Sequence, residues 1–245
     1  MKRTCIYSCT ILLSLIISLR SPAQSPSPKL KITHLTGDFY VYTTYNLWGK
    51  TYFPSNSMYL VTGKGIVMFD TPWDTTQFQP LLDSIKARHH KEVVLCIPTH
   101  FHEDRTGGLA FLQAKGIPTW STQQTYELCR QKGMPQAQFR FTKDTTFHIG
   151  NHQFQTFYPG AGHAPDNIVI WFVNEKILYG GCFVKSTEAT GLGNLSDANV
   201  REWPRSINRV MNKFPEPRYV IPGHDGWTDN QSLQHTLQLL KAHKE

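Results

Sequence analysis

The segment His100-Phe101-His102-Glu103-Asp104 sets two imidazoles and a carboxylate at alternate positions, a spacing suited to holding a metal ion. It follows Val93-Val94-Leu95-Cys96-Ile97, a short apolar run rich in β-branched residues that reads as a buried strand. Alternate side chains of an extended chain point the same way, so His100 and His102 would converge at the strand's end. Gly107 and Gly108 come next and are expected to turn the backbone tightly and start a helix. Taken alone, two histidines this close favour a metal, with a surface coincidence as the alternative.

Three further segments offer the same kind of ligand. A glycine-rich loop, Gly160-Ala161-Gly162-His163, presents one histidine ahead of the strand-like stretch 168–173. The run Ile177-Leu178-Tyr179 opens at Gly180-Gly181 onto Cys182, and Tyr219-Val220-Ile221 ends in Pro222-Gly223-His224. Each candidate sits where a strand gives way to a loop, the place where α/β architectures put their chemistry. Singly, His163 or His224 could be a hydrogen-bonded structural histidine and Cys182 a small core residue. Together the six ligand-type residues are too many for one tetrahedral ion. Divided between two ions they leave an open position on each, as catalytic rather than structural zinc sites do. The count points to a two-metal hydrolase.

These motifs together resemble the metallo-β-lactamases, specifically the broad-spectrum first subclass. The similarity extends to Phe69-Asp70-Thr71-Pro72-Trp73, Asp166-Asn167 and Gly193-Asn194-Leu195, and covers essentially everything after residue 30. It implies an α/β fold, the αββα sandwich of that superfamily. It also implies two zinc ions per chain, one held by His100, His102 and His163 and the other by Asp104, Cys182 and His224. The implied reaction is hydrolysis of the β-lactam ring of penicillins, cephalosporins and carbapenems by a metal-activated water, which would confer antibiotic resistance. Asp104 would orient the nucleophile and Asn194 would donate a hydrogen bond to the lactam carbonyl.

Lys185, three residues beyond a candidate ligand, would receive the carboxylate that β-lactams carry beside the reactive ring; otherwise it is a solvated lysine. Trp48, in a segment 46–53 that reads as an exposed hairpin, would close an apolar flap over the antibiotic, or else pack on its own strand. Arg105 and Asp70 would orient ligands and balance charge from behind, an ordinary surface ion pair being the competing account of Arg105. Cys182 and Arg105 mark the subclass: most of the wider superfamily carries Asp at the first position, and thioesterases of the glyoxalase type carry His at the second. A thioester or lactone hydrolase of the same fold, and a zinc-binding protein without catalysis, are the rival functions. Two departures stand out. Asp225 follows His224 where the family commonly has glycine, and could raise the basicity of the second site or face solvent. Ser196 replaces a frequent glycine near Asn194 and would stiffen that loop.

The elements that must position these residues follow from pattern. Residues 39–42, 58–61 and 66–70 read as consecutive strands. Residues 74–88 fit an amphipathic helix capped by Asp74, with Phe78, Leu81, Leu82 and Ile85 on one face. Further helices are expected over 123–131, over 199–214, where Pro204 marks the first turn or a kink, and over 232–243. Strands alternating with helices give the α/β class.

Residues 1–23 read as a signal peptide: Lys2 and Arg3, then an apolar stretch over 11–19, then small residues before cleavage ahead of Gln24. The stretch is short for a retained membrane anchor. Residues 24–245 are then expected to form a single domain, exported to the periplasm and monomeric. Cleavage removes three basic residues and no acid, lowering the formal charge from +7 to +4. That mild excess, with no dense Lys/Arg run, gives no reason to expect nucleic acid and suits anionic small molecules. No stable membrane association is expected after cleavage. Cys96, Cys129 and Cys182 remain, an odd number that argues against a disulfide framework.

Overall fold

Strand after strand in this chain carries apolar residues at successive positions, and both faces of the central strands are buried. The computed structural model describes residue 28 and residues 30–243. The signal peptide read over 1–23 lies outside the described residues. One sheet contains, in spatial order, β1 (Lys31–Thr36), β2 (Phe39–Trp48), β3 (Thr51–Thr62), β4 (Gly65–Phe69) and β5 (Val93–Ile97). The other contains β8 (Thr146–Ile149), β9 (His152–Phe157), β10 (Val169–Phe172), β11 (Ile177–Gly181) and β12 (Tyr219–Pro222), again in sequential order. A two-stranded pair, β6 (Trp120–Thr122) with β7 (Phe139–Phe141), completes the strands among the described residues.

Period-two alternation sorts each strand between layers. Phe39, Met58, Leu60, Val67, Phe69 and Ile97 of the first sheet meet Phe154, Ile170, Phe172 and Tyr179 of the second in the central core. The opposite faces pack on helices. Tyr59, Ile66 and Met68 lie under α1 (Phe78–His89) and α3 (Leu109–Ala114) through Leu81, Ile85 and Leu112. Trp171, Leu178 and Val220 lie under α5 (Trp203–Lys213) and α6 (Ser232–Ala242) through Trp203, Ile207 and Leu233. The layers run α, β, β, α. Two shorter helices, α2 (Glu103–Thr106) and α4 (Gln123–Lys132), stand beside the ends of the sheets. Among the described residues, no helix is long and apolar enough to cross a membrane.

Several local expectations are corrected. β5 ends at Ile97, so His100 and His102 stand in the turn beyond it, with His102 immediately before α2. The glycine pair joins α2 to α3, with Gly108 at the start of α3 as expected, but no special turn is needed, since Gly107 and Gly108 have ordinary φ values of −55° and −88°. Their role is room: a Cβ on Gly107 would lie 2.7 Å from the Glu103 carbonyl oxygen, and one on Gly108 2.9 Å from Cβ of Thr71. Asp74 caps a short 3₁₀ turn, Thr75–Gln77, before α1 begins at Phe78. Phe78, Leu81 and Ile85 are buried as the pattern requires, while Leu82 is only partly so. α5 starts at Trp203 with Pro204 in its first turn, because Asn199 turns the chain and accepts the Glu202 N–H on its side chain at 3.0 Å. Strands β1 and β6 to β9 carry no strong apolar run and escaped the sequence pattern. Cys96, Cys129 and Cys182 are all free and buried.

Asn56 on β3 is where the two halves are tied beneath the site. Its N–H donates to Gly223 O at 2.8 Å, and its side-chain amide donates to Pro222 O at 3.3 Å and Asp225 O at 2.8 Å. Its Oδ1 accepts the Thr43 hydroxyl at 3.0 Å. Asn56→Ala should therefore leave buried carbonyls short of donors and cost about 1–3 kcal/mol in urea denaturation. An unchanged midpoint would show that the joint carries no load.

Candidate metal centre

Four loops bring the six ligand-type residues together, and each loop is fixed by a bond the sequence does not advertise. After β5, Thr99 donates its N–H and hydroxyl to the Asp70 carboxylate at 2.5 and 3.0 Å, which sets the turn carrying His100. The Thr106 hydroxyl donates to Phe101 O and His102 O, both at 3.0 Å, and closes that turn onto α2. The His163 loop is stapled by Asn167, which accepts the Ala164 N–H and donates to Gly160 O, each at 3.0 Å. Gly162 has no room for a side chain, since a Cβ there would sit 2.6 Å from the Phe183 ring and 2.9 Å from Trp203. Gly223 likewise lets the loops after β11 and β12 touch: a Cβ would be 2.6 Å from the Cys182 nitrogen.

Two groups of donors result. His100 Nε2 and His163 Nε2 lie 3.0 and 3.1 Å from His102 Nδ1. Beside them Cys182 Sγ is 3.3 Å from Asp104 Oδ2 and 3.2 Å from His224 Nε2, and His224 Nε2 is 3.3 Å from Asp104 Oδ2. A tetrahedral ion with nitrogen or oxygen ligands at about 2.0–2.1 Å requires donor separations of about 3.3 Å. Both sets fit a metal. His100 also lies within reach of Asp104 and Cys182, so the two groups adjoin.

The outer nitrogens of two rings are already engaged. His224 Nδ1 is 2.7 Å from Pro54 O, and since a carbonyl only accepts, Nδ1 carries the hydrogen and Nε2 faces the cluster. His102 Nε2 faces Asp197 Oδ2 at 3.1 Å, leaving Nδ1 turned inward. Asp197 is a site residue that sequence reading missed. Ser196, flagged only as a glycine replacement, donates its hydroxyl to Asp197 Oδ2 at 3.2 Å and its N–H to Asn194 Oδ1 at 3.0 Å.

The groups differ in electrostatic character. Burial and neighbouring cationic groups push His100 and His163 well below the usual histidine range, which keeps the rings neutral with lone pairs available. In the other group burial opposes charge, yet the Arg105 guanidinium and His224 hold Asp104 well below the usual carboxylate range. Burial also opposes a charge on His224, but Cys182 and Asp104 lift it to about 10. That corner favours a cation in its midst.

Arg105 stands behind both groups and is wholly buried, which removes the reading of it as a surface ion pair. Nη1 donates to Asn56 O at 2.7 Å and to Asp70 Oδ2, Ser57 Oγ and Tyr179 Oη at 3.3 Å. Nη2 donates to Cys182 Sγ and Gly223 O at 2.9 Å and pairs with Asp104 Oδ2 at 3.0 Å. Burial raises Asp70 to about 6, while Arg105, the Tyr179 hydroxyl and Thr99 act to keep it ionised.

In front of the donors lies a cavity of about 650 Å³. Trp48, at the tip of the β2–β3 hairpin and 69% exposed, forms one wall with Phe53 and Trp73. It does not pack down on its own strand. Lys185, only 9% exposed, lies in the same cavity with its Nζ 5.4 Å from the centre of the Trp203 ring, so it is not a solvated lysine. Asn194 lines the opening, and with Oδ1 taken by Ser196 its amide nitrogen is the end left to donate.

Residues 51–224 match the family model of the metallo-beta-lactamase superfamily. The chain is 41% identical over 219 residues to metallo-beta-lactamase type 2 of Elizabethkingia meningoseptica, covering 89% of this chain and 88% of that protein. It is 41% identical over 206 residues to metallo-beta-lactamase IND-1 of Chryseobacterium indologenes, covering 84% of this chain and 86% of that one. Among solved structures, a metallo-beta-lactamase from Pontibacter korlensis superposes with a TM-score of 0.85 at 35% identity, over 88% of this chain and all of that one.

The Arg105 arrangement carries its own test. Arg105→Met should strand the buried Asp70 and Asp104 carboxylates and cost about 3–5 kcal/mol in chemical denaturation. Arg105→Lys keeps the charge but cannot serve both sets of acceptors with one ammonium. It should therefore fall between the two and weaken metal binding at Asp104, Cys182 and His224 in a competition titration with a chromophoric chelator. A lysine variant matching the wild type in both measurements would show that the planar fork is not required.

Proposed function

The chain belongs to the metallo-beta-lactamase superfamily, and from that premise we propose that it is a zinc-dependent β-lactamase that opens the ring of penicillins, cephalosporins and carbapenems. The observation that carries the reading is the pair of adjoining donor sets at the mouth of one cavity, together with the buried ammonium of Lys185. His100, His102 and His163 would hold one zinc, and Asp104, Cys182 and His224 a second. Zinc in such a site would supply a Lewis acid and bring the pKa of bound water down toward about 7.

The chain's own groups do the rest. Asp104, kept ionised by Arg105 and His224, accepts a hydrogen bond from the attacking water and aims it. Asn194 donates its amide N–H to the lactam carbonyl oxygen as negative charge gathers there. Lys185 receives the substrate carboxylate, and burial lowers its pKa from the ordinary lysine value. Trp48 and Phe53 cover the apolar substituents and shield the reacting carbonyl from bulk water. These contacts address what bicyclic β-lactams share, so all three classes are substrates. Monobactams, whose sulfonate is placed differently, are poor ones. The segment over residues 1–23 would deliver the enzyme to the periplasm, where this activity protects the cell.

Purified protein should hydrolyse a chromogenic cephalosporin, a penicillin and a carbapenem, lose all three activities to a chelator and regain them with zinc. Elemental analysis should find two zinc ions per chain, with Cys182→Ser losing affinity for one while the fold persists. No more than one zinc in the fully loaded wild type, or an intact carbapenem, would defeat this account.

Lys185→Ala should raise KM about tenfold or more with a smaller effect on kcat, the size of a lost charge-assisted contact. Lys185→Arg should be milder. Because Lys185 is largely buried, added salt should change its contribution only modestly. An unaltered KM for the alanine variant across several β-lactams would place carboxylate recognition elsewhere.

A further inference from the structure

Asp225 is held in a conformation that glycine adopts more easily. Its φ is +60°, in the left-handed region that Asp tolerates better than most side chains but still at a cost relative to glycine. The backbone around it leaves no alternative. Asn56 Nδ2 donates to Asp225 O at 2.8 Å, Ser186 Oγ donates to Gly226 O at 2.6 Å, and Gly226 N donates to Glu188 Oε2 at 3.0 Å. Glycine at 225 would satisfy all three bonds without strain, so the carboxylate answers to something other than the fold. Asp70 makes the contrast. It too has a positive φ, +66°, but its carboxylate is taken up by Thr99, Tyr179 and Arg105.

Among the described residues, no hydrogen bond or ion pair takes up the Asp225 carboxylate. It lines the same cavity as Lys185, whose ammonium is likewise without a hydrogen-bond partner among the described residues. The two are not joined as an ion pair, although the Asp225 charge is felt at Lys185. A cavity wall therefore presents a cation, which rests over the Trp203 ring, and an anion, neither hydrogen-bonded nor ion-paired among the described residues. Strain retained where it serves no local bond marks a functional position.

We propose that Asp225 forms a subsite for a cationic substituent, so that with Lys185 it selects zwitterionic β-lactams whose ammonium, amidinium or pyridinium group lies on the carboxylate side of the molecule. The inference rests on the β-lactam reading for the part played by Lys185. Glu103 is the other acid on the cavity wall without a metal-facing position, and it stands on α2 beside His102.

The test uses two cephalosporins with the same acyl side chain, one bearing a pyridinium group at the 3-position and one a neutral group. In zinc-loaded protein, the ratio of kcat/KM for the cationic over the neutral compound should fall about fivefold in Asp225→Asn and in Asp225→Gly, mainly through KM, the size of a partly exposed ion pair. The wild-type ratio should decline with added salt and the variant ratios should not. Glu103→Gln should shift the ratio less. Equilibrium binding of both compounds to the metal-free protein, followed by quenching of tryptophan fluorescence, should show the same change in ratio without turnover. The glycine variant relieves the backbone strain and keeps the test open if the asparagine variant folds poorly. A ratio unchanged in both Asp225 variants overturns the proposal. So does an equal loss for the two compounds, which would make Asp225 a partner of Lys185 alone, or a larger loss in Glu103→Gln. If the wild type hydrolyses neither compound, the β-lactamase reading fails, and the binding ratio still decides the subsite.

Discussion

A guanidinium buried between two sheets is the constraint around which this protein closes. Removing an ion from water costs several kcal/mol even after relaxation, so Arg105 is tolerable only if acceptors surround it. They come from elements of both sheets that end at the site: Asn56 on β3, Asp70 after β4, Tyr179 on β11, and Cys182 and Gly223 in the loops after β11 and β12. Misplacing any one of these loops strands part of a charge. The same bonds that neutralise Arg105 therefore fix the positions of Asp104 and Cys182. Stability and site geometry are one requirement here.

Close approach of backbone does the remaining positioning. Gly162 and Gly223 pass so near Trp203, Phe183 and the Cys182 peptide that no side chain would fit, and this allows four loops to meet at one point. The apolar layers set the depth of that point. Phe183 and Trp203 wall off the His163 loop from behind, and burial there keeps the ring neutral, as coordination requires. On the other side, the acids and thiol around His224 gather negative character that favours a cation. The two donor sets thus sit side by side with different electrostatic preferences, although both arise from loops at the same edge of the sandwich.

The front of the cavity is built on different principles from the back. Behind the donors the two terminal nitrogens of Arg105 and the carboxylates of Asp70 and Asp104 are committed to partners. In front, Lys185, Asp225 and the amide nitrogen of Asn194 are left uncommitted, and the exposed Trp48 faces them across the opening. Of these only the Lys185 ammonium is largely buried, and a charge withdrawn from water without a hydrogen-bond partner is costly unless something binds there. Their arrangement is therefore informative about the ligand, where the satisfied network behind is informative only about the fold.

Residue type and spacing alone disclosed the α/β class, the strands that bear the site and all six candidate ligands, because these depend on local chemistry. An apolar run ending in glycine and then His or Cys announces itself. The central strands, the face of α1 and the extents of α4 and α6 were legible for the same reason, since burial imposes a period on the sequence. Strands β6 to β9 were not, being short and half exposed. The roles of Asn56, Tyr179 and Asp197 were invisible, because each acts on residues tens of positions away and none stands in a pattern of its own. Arg105 could be singled out from its neighbours, but its burial could not. Whether Asp225 faced solvent or the cavity was undecided by sequence, for the same dipeptide is compatible with both. Long-range packing settled these points: which acceptor meets a donor depends on how two sheets and four loops close together, and that is a property of the whole chain.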